Sequence, residues 1–215
     1  LQKDGGNFKE VSSFDAFDKM VGEAMNNLAG KPVVLLTSTI HSPSTLQVIS
    51  QFLNKYPGSR HVQYDAVSSS AMLLANEATY GKRTIPSYRF DNAKAIVSIG
   101  ADFLGTWVSP VEFAKQYAKG KKLDAKNPEM SKHIHFESVA SLTGSNSDER
   151  YLHRPSETGA VVAALLSAVN GQGATGINDA KLKAGIEKAA KALVEKKGEA
   201  LVVCGSNDVS IQIAV

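Results

Sequence analysis

The chain has 215 residues, 43% of them hydrophobic and 21% charged, and its 24 Lys and Arg against 21 Asp and Glu leave a net charge of +3. That size supports a sizeable buried core, while so small a basic excess, with few aromatics among the lysines at 119–126 and 181–197, argues against a nucleic-acid track. Cys204 is the single cysteine, which excludes an internal disulfide and a four-thiolate iron–sulfur cluster, and no apolar run approaches the roughly 20 residues that span a bilayer.

Ser12 and Ser13 precede Phe14, Phe17, Val21, Met25 and Leu28, which line one face of a helix that Gly30 ends. Residues 33–37 are apolar on both faces, the pattern of a short strand in a covered sheet. Ser42 and Pro43 supply a cap and a first-turn proline for a helix carrying Leu46, Ile49, Phe52 and Leu53, and Pro57-Gly58 stops it. A strand over 61–65, a helix over 67–80 ended by Gly81, and a strand over 93–99 closed by Gly100 follow. Ser109 and Glu112 form a capping box for a helix to about Lys119, residues 121–129 read as a polar surface loop, and 132–138 as the fourth strand. A helix over 157–169 leads to a flexible linker at 171–176, then to a helix over 179–195 striped by Leu182, Ile186, Ala189 and Leu193. The last strand is 200–204, with Asn207 and Asp208 as a turn and cap before a further apolar element at 209–215. An opening without Met and a stop inside that element lead us to expect a portion of a longer polypeptide, truncated at both ends.

Strand and helix alternate, and joining parallel strands through helices demands right-handed crossovers. The expected architecture is therefore a layered, mostly parallel α/β sheet with helices on both faces. Residues 1–170 form the main α/β domain, and 171–215 a linker, helix and strand of the same or an adjoining subdomain.

Ligands of such sheets bind beyond the carboxyl ends of strands, and three such ends stand out. The hydroxyl-rich run 37–43 offers backbone N–H groups to a phosphate, although capping by Ser42 is the favoured reading. Gly100 and Gly105 permit close approach of a nucleotide, with Asp102 as an acceptor for ribose or guanine, but the spacing is not G-x-G-x-x-G. Trp107 in that run reads as a core or interface anchor, and Asn207 and Asp208 in the third end as plain caps. His133 and His135 share one face of a strand that His153 can approach, three imidazoles for zinc; lacking Cys or acidic ligands at metal spacing, they read as surface polar residues. Asp148-Glu149-Arg150 and the run 154–157 read as ion-paired loops, with Arg154 as a candidate for an anion. There is no G-x-S-x-G, G-x-x-x-x-G-K-[ST] or H-E-x-x-H, which removes the main support for hydrolase, nucleotidase and metalloprotease readings.

The run 95–102 (Ala-Ile-Val-Ser-Ile-Gly-Ala-Asp) resembles the strand and Gly-x-Asn segment of molybdopterin oxidoreductases of the dimethyl sulfoxide reductase and formate dehydrogenase type. His153-Arg154-Pro155-Ser156-Glu157-Thr158 is similar to that family's Arg-Pro-Gly-Thr-Asp stretch, and 201–207 to its later strand-and-glycine segment. The runs 100–107 and 153–159 most resemble the large periplasmic subunit of bacterial alternative complex III. That resemblance implies a non-catalytic scaffold in a quinol-oxidising respiratory complex on the periplasmic side of the inner membrane, held there by other subunits and the rest of the parent polypeptide. It implies vestigial cofactor positions at Gly100, Asp102, Ser156, Glu157 and Thr158, no catalytic or metal residue, and no cofactor in this stretch. Molybdopterin guanine dinucleotide would have been lost, and iron–sulfur clusters would lie elsewhere in the parent chain. Asp102 in place of the family Asn, and Ser156 where bare backbone is wanted, fit that loss. Ser68, Ser69 and Ser70 fall near the family's metal-ligand position, with helix capping favoured for them. The alternatives are a fragment of a genuine molybdopterin-dependent oxidoreductase, or a nucleotide-binding module.

Overall fold

The computed structural model describes residues 1–28, 30–40, 42–123 and 128–215, so His41 and the 124–127 part of the expected polar loop lie outside the described residues. The chain divides into two compact units, Leu1–Ser68 and Ser69–Val215.

The first unit opens with a hairpin of β1 (Gln2–Asp4) and β2 (Asn7–Lys9), which the sequence does not announce because strands of three residues are too short to show a period. Helix α1 (Phe14–Asn26) starts where Ser13 Oγ accepts the Ala16 amide at 3.1 Å. Strands β3 (Val34–Thr37) and β4 (Arg60–Gln63) pair in parallel through α2 (Pro43–Leu53), with Val34 opposite Arg60. Ser42 Oγ accepts the Thr45 amide at 3.3 Å, so this serine caps α2 as its position before Pro43 predicts. No described residue of Leu1–Ser68 is buried. Residues 33–37 read as a strand covered on both faces, yet Val34 and Leu36 are exposed.

The second unit holds α3 (Ser70–Tyr80), β5 (Ala95–Ile99), α4 (Pro110–Lys121), β6 (Lys132–Glu137), the single turn α5 (Leu142–Ser145), β7 (Glu149–Leu152), α6 (Thr158–Val169), α7 (Ala180–Glu195), β8 (Ala200–Cys204) and α8 (Val209–Ala214). Four strands make one all-parallel sheet in the order β7-β6-β5-β8. Val97, Ile99, Ile134 and Phe136 pack against Val161, Leu165, Ile186 and Ala189 of α6 and α7. On the other face Ile96 and Val203 join Phe90, Phe103, Phe113 and Tyr117. Phe90 and Phe103 stack with ring centroids 4.3 Å apart, a geometry worth roughly 1 kcal/mol beyond its burial. The layered parallel α/β sheet with helices on both faces is thus the architecture, and every residue of β5 is buried because helices cover both sides. Trp107 joins the aromatic face, 5.1 Å from Tyr88 and 5.9 Å from Phe113 between centroids.

Several local expectations are corrected. Glu149 and Arg150 are ion-paired as expected, but they open strand β7 rather than a loop; four residues with two charges carry too little periodicity to read as a strand. Ser69 occupies the cap of α3 without a side-chain cap bond, and Asn207 Oδ1 accepts the Ala71 amide instead, at 3.0 Å. At α4 the hydroxyl of Ser109 donates to Glu112 Oε2 at 3.3 Å, so the two expected capping side chains bind each other. The final apolar residues form α8, capped by Asp208 through the Ile211 amide at 3.1 Å.

Candidate functional site

All four strands of the second unit end on one edge, and the segments leaving them border a cleft of about 440 Å³. Gly100 and Asp102 follow β5, Ser138 and Ser141 follow β6, His153 and Thr158 follow β7, and Gly205 and Ser206 follow β8. Because β5 has β6 on one side and β8 on the other, the cleft lies where crossovers leave the sheet in opposite directions, the usual ligand position in open parallel sheets. Gly100 adopts φ +60°, and a Cβ at Gly205 would collide with the Gly100 carbonyl. The left-handed backbone requires glycine at 100, and the close approach of the two loops requires it at 205.

A row of buried polar side chains runs into this cleft along the β5–β6 surface. Tyr117 Oη stands 2.8 Å from the Asn146 carbonyl and 3.1 Å from His133 Nδ1. Ser98 Oγ lies 2.7 Å from His133 Nε2 and 2.5 Å from His135 Nδ1, and His135 Nε2 lies 3.1 Å from Glu137 Oε2. The same carboxylate oxygen accepts the Ser141 amide at 3.1 Å and its hydroxyl at 2.6 Å, while Arg150 donates to the other. Alternation on β6 puts 133, 135 and 137 on one face, and the parallel register sets Ser98 opposite His135.

Burial pushes the His133 imidazole down to about 3, helped by the charges of His135 and Lys121, and burial also lowers His135 against the pull of Glu137. Burial raises the carboxyl of Glu137, but hydrogen bonds from Ser141 and Arg150 outweigh it, and the group is held below the usual carboxylate range. Burial raises the Tyr117 phenol. Ser98, His135 and Glu137 therefore have the connectivity of a serine–histidine–carboxylate triad. They lack its chemistry: Ser98 is 0% exposed and wedged between two imidazoles, so no carbonyl carbon can reach its oxygen.

Asp102 accepts the Thr143 amide at 3.0 Å, the Thr143 hydroxyl at 2.8 Å and the Thr106 hydroxyl at 3.3 Å, latching its loop to α5. Of the five positions singled out from the sequence, Gly100, Asp102 and Thr158 border the cleft, whereas Ser156 and Glu157 do not. Glu157 accepts the Arg154 amide at 2.8 Å and faces a neighbouring cleft of about 560 Å³ with Arg154 and Asp179. The reading of the histidines as surface residues is corrected: His133 and His135 are 0% and 1% exposed, because β6 lies inside a doubly covered sheet. His153 does not join them; its Nδ1 lies 2.8 Å from the Arg154 carbonyl, and its buried Nε2 has no partner among the described residues. Among the described residues no group of three His, Cys, Asp or Glu side chains is placed to hold a metal ion. Sequence reasoning missed Ser98, Tyr117, Glu137 and Arg150. The available signal was Ser98, a lone hydroxyl inside an otherwise apolar strand.

No family model matches the chain, and no curated protein does. Among solved structures, the formyltransferase/hydrolase complex FhcABCD from Methylorubrum extorquens, in complex with methylofuran, shares the fold with a TM-score of 0.50 and 13% identity, over 90% of this chain and 57% of that one. The chain thus spans little more than half the length of the chain it matches, and a likeness at that identity carries the fold alone. It overturns the resemblance drawn from the sequence. This solved structure belongs to a formyltransferase/hydrolase complex and not to a molybdopterin oxidoreductase. The alternative complex III scaffold and its iron–sulfur and quinol-oxidising setting are corrected accordingly, and no family match supports the molybdopterin-enzyme or nucleotide-binding alternatives. The physical reason is that strand-then-glycine and proline-then-helix are junctions any parallel α/β sheet needs. Runs of six to eight residues across such junctions do not distinguish one family from another.

Proposed function

We propose that this chain is an assembly domain, a part that works by docking with other proteins in a multi-subunit complex. One observation carries the proposal. The two-stranded parallel sheet β3–β4 leaves Val34 and Leu36 54% and 65% exposed, although parallel pairs are ordinarily covered on both faces. Phe14 and Phe17 of α1 are exposed in the same unit, and an apolar surface of this kind marks a protein contact. The cleft is consistent with such a role, since its carboxylates, hydroxyls and imidazoles are largely bound to one another. One solved chain that shares this fold belongs to a multi-subunit formyltransferase/hydrolase complex.

Hydrogen exchange on the purified chain, and on the chain recovered inside its native assembly, tests this. The isolated chain should protect the amides of β5, β6 and α7 strongly and those of α1 and β3 weakly. In the assembly, protection should spread into α1 and β3. Equal protection of both units in the isolated monomer sinks the proposal.

A further inference from the structure

We infer that the buried row from Tyr117 to Glu137 is a binding site for one proton, complete only when His135 is an imidazolium. The inference rests on counting hydrogens and is independent of the assembly reading. The row begins at the Asn146 carbonyl and ends at the Glu137 carboxylate, and both ends can only accept. Four groups stand between them: Tyr117, His133, Ser98 and His135, joined by five contacts of 2.5–3.1 Å. Each of the four carries one exchangeable hydrogen when neutral. Five contacts need five.

The location of the shortfall follows from the carboxylate. His135 must direct Nε2–H at Glu137, so its Nδ1 accepts from Ser98, and Ser98 accepts from His133 Nε2–H. His133 Nδ1 is then a bare lone pair, and the one hydrogen of Tyr117 cannot serve both that nitrogen and the Asn146 carbonyl. A proton taken from solvent water repairs the row. With His135 protonated on both nitrogens, Ser98 turns to donate to His133 Nε2, His133 donates through Nδ1 to Tyr117, and Tyr117 donates to Asn146. Every contact is then made, and the charge sits beside Glu137.

The groups facing His135 are Asp102 from the loop after β5, Glu137 and His133 from β6, Ser98 from β5 and Arg150 from β7. Those facing His133 are Tyr117 and Lys121 of α4, Asp148 before β7 and His135. At His135 two carboxylates, Glu137 and Asp102, stand against one cation, Arg150, whereas at His133 the single carboxylate of Asp148 stands against Lys121, so the surroundings favour the proton on His135. Because burial lowers the His135 imidazole, the site is empty at neutral pH and fills as the medium acidifies.

Nitrogen-15 spectra of the histidine rings across pH test this in the wild-type chain. His135 should become protonated on both nitrogens before His133, and at the same midpoint the His133 hydrogen should move from Nε2 to Nδ1. Tyr117→Phe, nearly isosteric, removes the end contacts and leaves three contacts for three hydrogens. The His135 midpoint should then fall by about half to one pH unit, the worth of one hydrogen bond, although the substituted ring would not touch His135. An unchanged His133 tautomer through the His135 titration, or His133 protonating first, overturns the inference. So does a His135 midpoint that stays put in the Tyr117→Phe chain.

Discussion

Asn207 Oδ1 accepts the amide of Ala71 at 3.0 Å, so helix α3 is capped by a residue 136 positions further along the chain. The open first turn of α3 is thereby tied to the loop that follows β8. A side-chain cap is worth about 1 kcal/mol. Asn207→Ala should lower the unfolding free energy by that amount, whereas Ser69→Ala should leave it nearly unchanged, since Ser69 makes no side-chain cap bond. Urea unfolding of the two variants checks the contrast.

Gly185 lies in α7 with the ring of Tyr151 so close that a Cβ would stand 2.6 Å from it. In an exposed helix, Gly→Ala stabilises by up to about 1 kcal/mol. Here Gly185→Ala should instead destabilise, by about 1–3 kcal/mol, because Tyr151 stacks on Phe136 and closes one end of the core. Thermal unfolding of G185A distinguishes the two signs.

Glu137 is buried, and Arg150 is its one full positive partner among the described residues. Arg150→Met should cost about 3 kcal/mol by stranding that carboxylate, more than an exposed arginine would. The double variant Arg150→Met with Glu137→Gln should cost less than the sum of its two members, measured as a double-mutant cycle in urea.

Stability should fall on acidification in two stages. Folded His133 is held at about 3 and His135 is lowered, both by burial first, while imidazoles of the unfolded chain titrate near 6.5. The unfolded chain binds more protons in that interval, so this contribution is intact above about pH 6.5 and is lost as the pH falls toward 3. Burial raises Glu149, but Lys132, Lys188 and Tyr151 outweigh it and hold the carboxyl at about 2, adding a second loss below its unfolded value of about 4.3. Urea midpoints recorded from pH 8 to pH 4 should stay level down to about pH 7 and decline below it; a flat profile between 7 and 5 contradicts the first stage.

Much of the second unit was legible because strands β5 and β8 are largely apolar and helix α7 is striped. The site was not, and the reason lies in β6. A strand reading His-Ile-His-Phe-Glu at 133–137 alternates polar with apolar, the usual mark of one wet face, yet all five positions are buried. Polar side chains that satisfy one another across two strands imitate a surface pattern. Only pairing β6 with the isolated Ser98 of β5 separates the two cases, and strand register is not contained in either segment alone. Asn207 escaped for a related reason, because a cap supplied from a distant loop leaves no local signature at Ser69.

The order β7-β6-β5-β8 has a consequence for biosynthesis. Strand β5 finds its partner β6 soon after it is made, but its other edge waits for β8, from Ala95 to Ala200 along the chain. At translation speeds of about 5–20 residues per second, that edge stays open for roughly 5–20 seconds on the ribosome. A largely apolar strand with one edge left open for so long is the point at which a nascent chain would engage a chaperone or aggregate.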